Sequence, residues 1–378
     1  MDKVRFGVVG VGGIGHIHVG YMQDLKRASL TAVCDNREAV AKSVAEAHGV
    51  RAFATPEDLI GSGLCDAIII ATPHFLHPPI ARAAIKAGLH VLTEKPMAVR
   101  ASDADAMIAA AKKRSVKLAV MFQRRTDPVW KKARQIVDSG ALGALVRTSV
   151  FESYYRTQSY YDNGHWRGTY AGEGGGVLTN QFPHSMDSFI WIGGMPKSVT
   201  GKTLSRGHKV EVEDVALALF DYPDGAVGTL YASTYEFPQP NRYEFAGDRA
   251  TLVIENGKLR LGASAPRAGE MLRTSDNPWD IPMEVWTEVS VPEAPHGHRF
   301  VTQNFVDAIL DGTPLLASGE EGLKSLELAN AIVASSALKK ELSLPLKREL
   351  FDDLLAGWMK TSKVRKPPDS DKVVIPTR

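Results

Sequence analysis

The sequence predicts an α/β protein, in which an N-terminal doubly wound parallel sheet is followed by a C-terminal α+β domain with a largely antiparallel sheet. Three observations lead to this fold class. Short apolar strands alternate with helical segments from residue 4 to about residue 122, the pattern of a parallel sheet covered on both faces. A glycine-rich turn joins the first strand to the first helix. After residues 123–125, longer strands with alternating polarity and hairpin signals take over.

Length and composition restrict the class of protein. A chain of 378 residues is long for a single hydrophobic core and predicts two domains. The net charge of +2 is too small to indicate a nucleic-acid or membrane surface, and no apolar run approaches the roughly 20 residues of a membrane span. The first strand begins at residue 4, which leaves no room for a signal peptide, and Cys34 and Cys65 are expected to be buried free thiols. We therefore expect a cytoplasmic protein.

A glycine-rich turn follows the first predicted strand, 4–9, and opens the first predicted helix, 14–25. The turn has the spacing G-x-G-x-x-G and consists of Gly10, Val11, Gly12, Gly13, Ile14 and Gly15. After a strand and before a helix, this spacing indicates a Rossmann dinucleotide site, where glycines permit a tight turn and let the main chain approach a pyrophosphate. The alternative is a plain glycine turn.

Asp35 ends the second predicted strand, 30–34, about 20 residues beyond the glycines. A carboxylate at this place bonds the adenosine ribose hydroxyls and repels a 2′-phosphate, which favours NAD over NADP. Arg37 softens this preference, and Asn36 between them is a further candidate contact. The alternative for Asp35 is to cap the predicted helix 37–48.

Another candidate group follows the later strands of the first domain. The predicted strand 66–71 ends at Thr72 and Pro73, beside the expected dinucleotide, because open α/β sheets bind ligands beyond the carboxyl ends of their strands. His77 is either a cofactor contact or a core or capping histidine. Gln123, after the last strand of this domain, is also a candidate cofactor contact.

Lys95 stands at the end of the predicted strand 90–94, directly after Glu94 and before Pro96. An ammonium group there can donate a proton or act as an electrophile beside a carbonyl or hydroxyl. Pro96 restricts Lys95 to an extended backbone conformation, which limits the directions in which the lysine side chain can point. The alternative is an exposed loop lysine. The pair His16 and His18 does not favour a metal site, because residues two apart on a helix face in different directions.

The remaining elements are predicted from periodicity and turn chemistry. A capping pattern at 102–105 precedes a helix, and Asp127 and Pro128 start a helix that ends at Asp138. Two hairpins are predicted around Pro223-Asp224-Gly225 and Asn256-Gly257. Other predicted segments are a helix at 55–58, a strand at 117–121, an irregular stretch at 264–298, helices at 300–310 and 320–338, and a basic arm from 361 whose run 373–375 could join a sheet edge.

A second dense region contains Trp166, Arg167 and the segment 173–187, which has three successive glycines followed by an apolar helix at about 182–192. Asn180 and His184 are four residues apart and share a face on a helical turn. A histidine there can take up a proton near neutral pH, and an asparagine can orient it or the substrate. The alternative is that His184 packs in the core.

Together these motifs resemble the Gfo/Idh/MocA oxidoreductase family. The resemblance extends from about residue 4 to residue 344, and the segments that carry it are 10–15, 71–73, 87–96 and 174–187. It implies that Lys95 and His184 are catalytic, that the cofactor is NAD or NADP, and that the substrate is a sugar or polyol. It also implies a homodimer or homotetramer, in which the open face of the second sheet packs against another subunit.

The resemblance also suggests how the chain is divided. We expect a dinucleotide-binding domain at 1–123, a substrate and oligomerisation domain at 124–360, and the arm at 361–378. The stretch 154–167 looks like the family's substrate-facing loop, with Tyr155 and Arg167 as candidate contacts, although aromatic and arginine side chains suit an interface equally well. Many members have an aspartate four residues before the histidine, where this chain has Asn180, and an asparagine stabilises an imidazolium less.

The expected reaction is reversible oxidation of a secondary hydroxyl, with hydride passing to nicotinamide. His184 would remove the hydroxyl proton, while Lys95, Asn180, Tyr155 and Arg167 would contact the substrate. Two alternatives stay open: NAD-dependent glycoside hydrolysis through transient oxidation of the sugar, and a non-catalytic NAD-binding regulator on the same fold.

Overall fold

The computed structural model describes residues 2–164 and 166–363. The first sheet has the order β3-β2-β1-β4-β5-β6 and is parallel throughout. Its strands are β1 Val4–Val9, β2 Ala28–Cys34, β3 Arg51–Phe53, β4 Ala67–Ile70, β5 His90–Thr93 and β6 Leu118–Val120. All four residues of β4 are buried, as expected for a strand covered on both faces. The predicted doubly wound sheet is thus confirmed.

The second sheet has the order β14-β13-β12-β11-β7-β10-β9-β8-β15. Its strands are β7 Leu145–Ser153, β8 Ser198–Leu204, β9 Val215–Asp221, β10 Val227–Ser233, β11 Arg242–Gly247, β12 Ala250–Glu255, β13 Lys258–Ala265, β14 Met283–Glu288 and β15 Leu342–Ser343. Of these neighbours, only β7 and β10 pair in parallel. Both predicted hairpins are present, and Asn256 and Gly257 have φ values of +49° and +76° at the second turn, as a type I′ turn requires.

The helices cover both sheets. They are α1 Gly13–Tyr21, α2 Glu38–His48, α3 Pro56–Gly61, α4 His77–Lys86, α5 Ala101–Arg114, α6 Pro128–Asp138, α7 Gln158–Asp162, α8 Val177–Asn180, α9 Pro183–Gly193, α10 Ala268–Thr274, α11 His298–Leu310, α12 Gly319–Leu338 and α13 Arg348–Met359. The predicted caps Thr55 and Asp127 accept N–H bonds from Asp58 and Val129. Short 3-10 turns at Met22–Asp24, His74–Leu76 and Gln123–Thr126 join longer elements.

Segments from the C-terminal half of the chain pack against both sheets. Phe305 of α11 packs against Phe6 of β1, with ring centroids 6.3 Å apart, inside the core of the first sheet. The N–H of Val120 in β6 donates to the carbonyl of Ala317 at 3.0 Å. Helix α12 contacts both α5 and β8. This packing joins the C-terminal part of the chain to the first sheet.

Several predictions about local elements were wrong. The capping pattern at 102–105 does not act as a cap, because α5 begins at Ala101 after Arg100, whose side chain pairs with Asp103 at 2.8 Å. The stretch 264–298 is not wholly irregular, since it holds α10 and β14. Helix α13 follows the predicted elements and adds to them. Most of the predicted arm, including the apolar run 373–375, lies outside the described residues.

Candidate active site

The glycine turn forms an open cradle at the start of α1. Gly10 has φ +87°, and a Cβ there would lie 2.7 Å from the carbonyl oxygen of Ala71, while a Cβ at Gly15 would collide with the carbonyl of Gly10. A Cβ at Gly13, by contrast, would have no neighbour within 4 Å. Gly12 is the N-cap and brings no side chain to the first turn. The turn is therefore tight on its protein side and open on the other, which fits a pyrophosphate at a helix N-terminus.

The carboxylate of Asp35 stands at the end of β2 and is buried. It accepts hydrogen bonds from the N–H of Val11, at 3.1 Å, and from the main chain and guanidinium of Arg37, at 3.0–3.2 Å. Arg37 is the N-cap of α2, so the alternative prediction that Asp35 caps this helix was wrong. The Arg37 guanidinium also lies over the glycine turn, 2.8 Å from where a Cβ of Gly12 would stand. Asn36, between them in the chain, is exposed, and Ile14 of the glycine turn is half-buried.

His77 is buried between the segments that follow β4 and β5. Its Nε2 lies 2.7 Å from the carbonyl oxygen of Thr72, and its Nδ1 lies 2.8 Å from that of Pro96. Both ring nitrogens are thus used inside the protein, which favours the core alternative for this residue. Pro73 starts the following 3-10 turn, and the hydroxyl of Thr72 is buried without a protein partner in the described part of the chain. That hydroxyl is available to a ligand.

Glu94 and Lys95 follow β5 and have different surroundings. The Glu94 carboxylate is buried, lies 2.8 Å from Nε2 of His18, and accepts the N–H of Lys95 at 3.1 Å. The His18 ring then reaches the hydroxyl of Tyr21, which lies 2.8 Å from Oγ1 of Thr302. These contacts hold Glu94, and with it the carboxyl end of β5, against α1 and α11. The ammonium of Lys95 points away from this chain of contacts, towards Asn180.

The Lys95 ammonium donates to the main-chain oxygen of Asn180 at 2.9 Å. Burial lowers the pKa of Lys95, and the nearby Arg167 and Arg124 guanidinium groups lower it further, while Glu94 and Glu173 oppose the shift. A lysine with a lowered pKa is a better proton donor and acceptor near neutral pH than an exposed one.

His184 lies one helical turn beyond Asn180 but does not contact its side chain. The two predicted residues fall on α8 and α9, which Gln181 and Phe182 join in helical conformation. Nδ1 of His184 is buried and has no hydrogen-bond partner among the described residues, and its ring meets Phe122 edge-on with centroids 5.9 Å apart. Burial holds the pKa of His184 well below its usual range, with further lowering by the charges of Lys95, Arg124 and His298. The imidazole is neutral at pH 7 and able to accept a proton.

The side-chain amide of Asn180 binds Glu173, a residue that the sequence analysis did not select. The Asn180 Nδ2 donates to Oε1 of Glu173 and, at 3.2 Å, to the hydroxyl of Tyr160. Glu173 is 1% exposed, and its other carboxylate oxygen accepts the N–H of Gly168 at 2.6 Å. Burial raises the pKa of Glu173 to about 7. Its place directly before the three glycines is the one signal in the sequence that could have drawn attention to it.

The glycines at 174–176 let neighbouring segments approach closely. Side chains added at Gly174 and Gly176 would collide with Val99 and with the main chain of Glu213. The buried Glu213 carboxylate accepts the N–H groups of Gly176 and Leu178, at 3.0 and 3.1 Å, and so caps α8. Burial raises its pKa to about 7, and Glu173 adds to that shift.

A buried polar network lies beneath His184. Arg124 donates to Glu152, Tyr154, Ser185 and Tyr243, each at 3.0 Å. Glu152 is fully buried, and the Arg124 charge keeps its pKa below the usual range. The sequence analysis missed this network because its members come from four separate elements. Gln123, beside Arg124, has a buried side-chain oxygen without a partner in the described ranges.

Only some residues of the predicted substrate loop, 154–167, contact the site residues described above. Arg167 stacks on Tyr160 and Trp166, with its guanidinium carbon 4.2 and 4.5 Å from the ring centroids, and lies 3.9 Å from Glu173. Trp166 meets His74 edge-on, with centroids 5.2 Å apart. Tyr155 is 50% exposed, and it is Tyr154 that enters the Arg124 network. A substrate contact by Tyr155 stays a prediction.

Within residues 2–164 and 166–363, no group of three or more histidine, cysteine or acidic side chains is arranged to hold a metal ion. None of the helices in this part of the chain combines the length and apolar character of a bilayer span. Cys34 and Cys65 are buried free thiols, as predicted.

Comparison with known proteins gives two matching family models. Residues 4–122 match the oxidoreductase family with an NAD-binding Rossmann fold, and residues 130–253 match the C-terminal domain of the same GFO/IDH/MocA family. The inositol 2-dehydrogenase of Corynebacterium glutamicum is 31% identical over 82% of this chain and 87% of its own length. That of Rhizobium meliloti is 26% identical, over 90% and 99%.

The similar solved structures include proteins in complex with ligands. The WlbA dehydrogenase of Bordetella pertussis, in complex with NADH and UDP-GlcNAcA, is 28% identical to this chain and superposes with a TM-score of 0.77. The superposition covers 91% of this chain and 100% of that one.

Proposed function

Because the chain belongs to the GFO/IDH/MocA family of NAD-binding oxidoreductases, we propose that it reversibly oxidises a secondary hydroxyl of a sugar, glycoside or cyclitol. The observation that carries the proposal is the junction of Lys95 with the Asn180–His184 segment. The lysine at the end of β5 binds the main-chain oxygen of Asn180 at 2.9 Å, and a neutral imidazole follows one helical turn later. A proton acceptor and a cationic donor would thus act on the same substrate hydroxyl.

In this proposal, His184 accepts the proton of the substrate hydroxyl. Its lowered pKa keeps it in the base form at neutral pH, and no hydrogen-bond donor among the described residues is bound to its Nδ1. Lys95 donates a hydrogen bond to the same substrate oxygen as that oxygen becomes a carbonyl. Asn180 orients both groups, through its carbonyl on one side and its place on the helical turn on the other.

The cofactor pocket fits a nicotinamide dinucleotide. Gly12, Gly13 and the start of α1 would hold the pyrophosphate, Asp35 would hold the adenosine ribose, and the free hydroxyl of Thr72 lies on the way to Lys95. When bound, the dinucleotide would supply the hydride acceptor. Asp35 favours NAD, while Arg37 provides a cation for the 2′-phosphate of NADP, so both cofactors are accepted, with NAD preferred.

The substrate class is supported by the relatives, whose names describe inositol and sugar-nucleotide dehydrogenases. Arg167, Tyr160 and Trp166 form a cationic and aromatic wall that suits a hydroxylated ring. The test is a screen of sugars, glycosides and cyclitols with NAD and NADP, in which reduced cofactor is followed at 340 nm. We expect substrate-dependent accumulation of NADH. Release of aglycone without net NADH would favour glycoside hydrolysis instead, and no turnover of any kind would favour a regulator.

The second sheet also supports assembly into a homodimer or homotetramer. Leu219 and Val227 are 61% and 50% exposed on the face turned away from α9 and α12, and Phe151 stacks on Tyr231 beside them, with centroids 4.9 Å apart. A contiguous apolar sheet face of this kind is typical of a subunit interface. Light scattering coupled to size-exclusion chromatography measures the mass of the particle and would reject this assembly if it found a 41 kDa monomer.

A further inference from the structure

We propose that Glu173 supplies the negative charge that the catalytic pair requires, and that it acts through Asn180 as a positioning residue for Lys95 and His184. The proposal deepens the function given above and rests on it for the oxidation step. Asn180, unlike an aspartate, brings no charge to the position four residues before His184. A carboxylate is nevertheless present beside this residue, because Glu173 accepts a hydrogen bond from the Asn180 amide.

The contacts define a path from Glu173 to the lysine. The carboxylate is held on one oxygen by the Asn180 amide and on the other by the N–H of Gly168 at 2.6 Å. The main-chain oxygen of the same Asn180 then accepts the Lys95 ammonium at 2.9 Å. Asn180 thus binds the Glu173 carboxylate with its side chain and the Lys95 ammonium with its main chain. Movement of Glu173 would therefore move the anchor of Lys95.

The electrostatic balance explains why a charge is needed here. When His184 accepts the hydroxyl proton, it becomes a cation close to Lys95, Arg124 and His298, and like charges in a partly buried site repel. The Arg124 charge is already matched by Glu152, at 3.0 Å. Two carboxylates act on Lys95, those of Glu94 and Glu173, and of these Glu173, which lies 3.9 Å from Arg167, is the one bonded to Asn180. Its charge would offset the new imidazolium.

The groups around Glu173 determine when that charge is present. Arg167, Lys95 and the bonds from Gly168 and Asn180 favour the ionised carboxylate, whereas burial and the nearby Glu213 oppose it, and the balance puts its pKa at about 7. Tyr160, Tyr161 and His74 complete its surroundings. Ionisation of Glu173 near neutral pH would thus switch on the electrostatic support of the pair.

The first test measures Lys95 itself and needs no substrate. Competitive amine labelling of the intact protein, with the extent of Lys95 modification read by mass spectrometry across pH, reports the pKa of that lysine. In Glu173→Gln, we expect a downward shift of roughly half a unit to one unit, because a nearby negative charge has been removed. Glu327→Gln is the matched control, since Glu327 is also a buried carboxylate but pairs with Arg348 far from the cleft, and it should leave the Lys95 pKa unchanged.

The second test relocates the charge. Asn180→Asp alone puts two carboxylates side by side, and we expect it to reduce kcat/KM about tenfold or more, as Glu173→Gln alone does. The double variant Glu173→Gln with Asn180→Asp returns the site to one carboxylate and should recover kcat/KM to within about threefold of wild type. A merely structural Glu173 would make the two losses add instead.

The outcomes separate this proposal from the function on which it rests. An unchanged Lys95 pKa in folded Glu173→Gln would overturn the role of Glu173, whether or not a sugar is oxidised. Absence of any turnover in the wild type, with the labelling shift intact, would overturn the dehydrogenase function alone. If Glu173→Gln does not fold, Glu173→Asp keeps the charge but shortens its reach. A Lys95 pKa and a kcat/KM both equal to wild type in that variant would then count against positioning through Asn180.

Discussion

The ammonium of Lys95 lies 2.9 Å from the main-chain oxygen of Asn180, and this contact joins the two halves of the site. Lys95 belongs to the strand-end edge of the first sheet, whereas Asn180 precedes the helix that supports the second. The contact thus ties the end of β5 to the α8–α9 segment. Variants of the surrounding residues make specific outcomes measurable.

Lys95→Ala should reduce kcat by about 100-fold or more, because the group that stabilises the developing carbonyl oxygen is lost. NADH affinity, measured by fluorescence titration, should stay within about threefold of wild type, because the glycine cradle is untouched. Lys113→Ala, at an exposed position on α5, serves as the control. Near-normal turnover of Lys95→Ala would refute the assignment.

The pH dependence of kcat/KM should reflect His184 and Glu173 separately. A base acts only when it is unprotonated, and the pKa of His184 lies well below 6.5. The loss of kcat/KM that is caused by protonation of His184 should therefore occur below pH 6.5. Glu173, with a pKa of about 7, should add a smaller step near neutrality. In Glu173→Gln, steady-state rates across pH 5–9 should show only the lower limb. A persistent step near pH 7 in that variant would assign it to another group.

Cofactor choice should depend on the pair Asp35 and Arg37. Asp35→Ala removes the ribose acceptor and the repulsion of a 2′-phosphate, so the ratio of NADPH to NADH affinity should rise by about tenfold or more. Arg37→Ala should change that ratio in the opposite direction, because the cation near the ribose is lost. Fluorescence titration with both reduced cofactors measures the ratio. Equal effects of each variant on both cofactors would contradict the assignment.

The buried carboxyl of Glu213 should make stability depend on pH. Its pKa is raised to about 7 from 4.5, so the folded state binds more protons than the unfolded state between these values, and the free energy of unfolding falls as pH rises through this window. Glu213→Gln removes this titration. We expect its Tm to lose about 2 °C less than wild type between pH 5 and pH 8 in calorimetry. Parallel Tm curves would show that Glu213 does not titrate there.

The exposed sheet face gives a prediction about assembly. The double variant Leu219→Lys and Val227→Lys puts two charges on the proposed interface, where burial of an unpaired charge is costly, and should yield a monomer in light scattering. Lys113→Glu, at an exposed position on α5 beside the first sheet, changes charge away from that face and should leave the mass unchanged. A particle of wild-type size in the double variant would locate the interface elsewhere.

Local sequence patterns were enough for five of the six strands of the first sheet and for parts of the cradle. Strands such as β4 are buried on both faces, so an apolar run marks them. The sequence analysis missed β3, a three-residue strand without a buried residue. The caps at Thr55 and Asp127 were also predictable, because a side chain there binds an N–H only a few residues away. The prediction that residues 102–105 cap a helix was wrong because Arg100 pairs with Asp103 and is itself the N-cap. Helix α5 therefore begins at Ala101, before the predicted cap.

What the tertiary structure alone decided is which candidates meet. The sequence by itself determined the family, the cradle at 10–15, Asp35, and the lysine and histidine that the proposal uses, because each is marked by a local motif. It could not place Glu173 against Asn180, Arg124 against Glu152, or both nitrogens of His77 against carbonyl oxygens. These contacts span different elements, and their charges act on one another only after burial removes the water that would screen them.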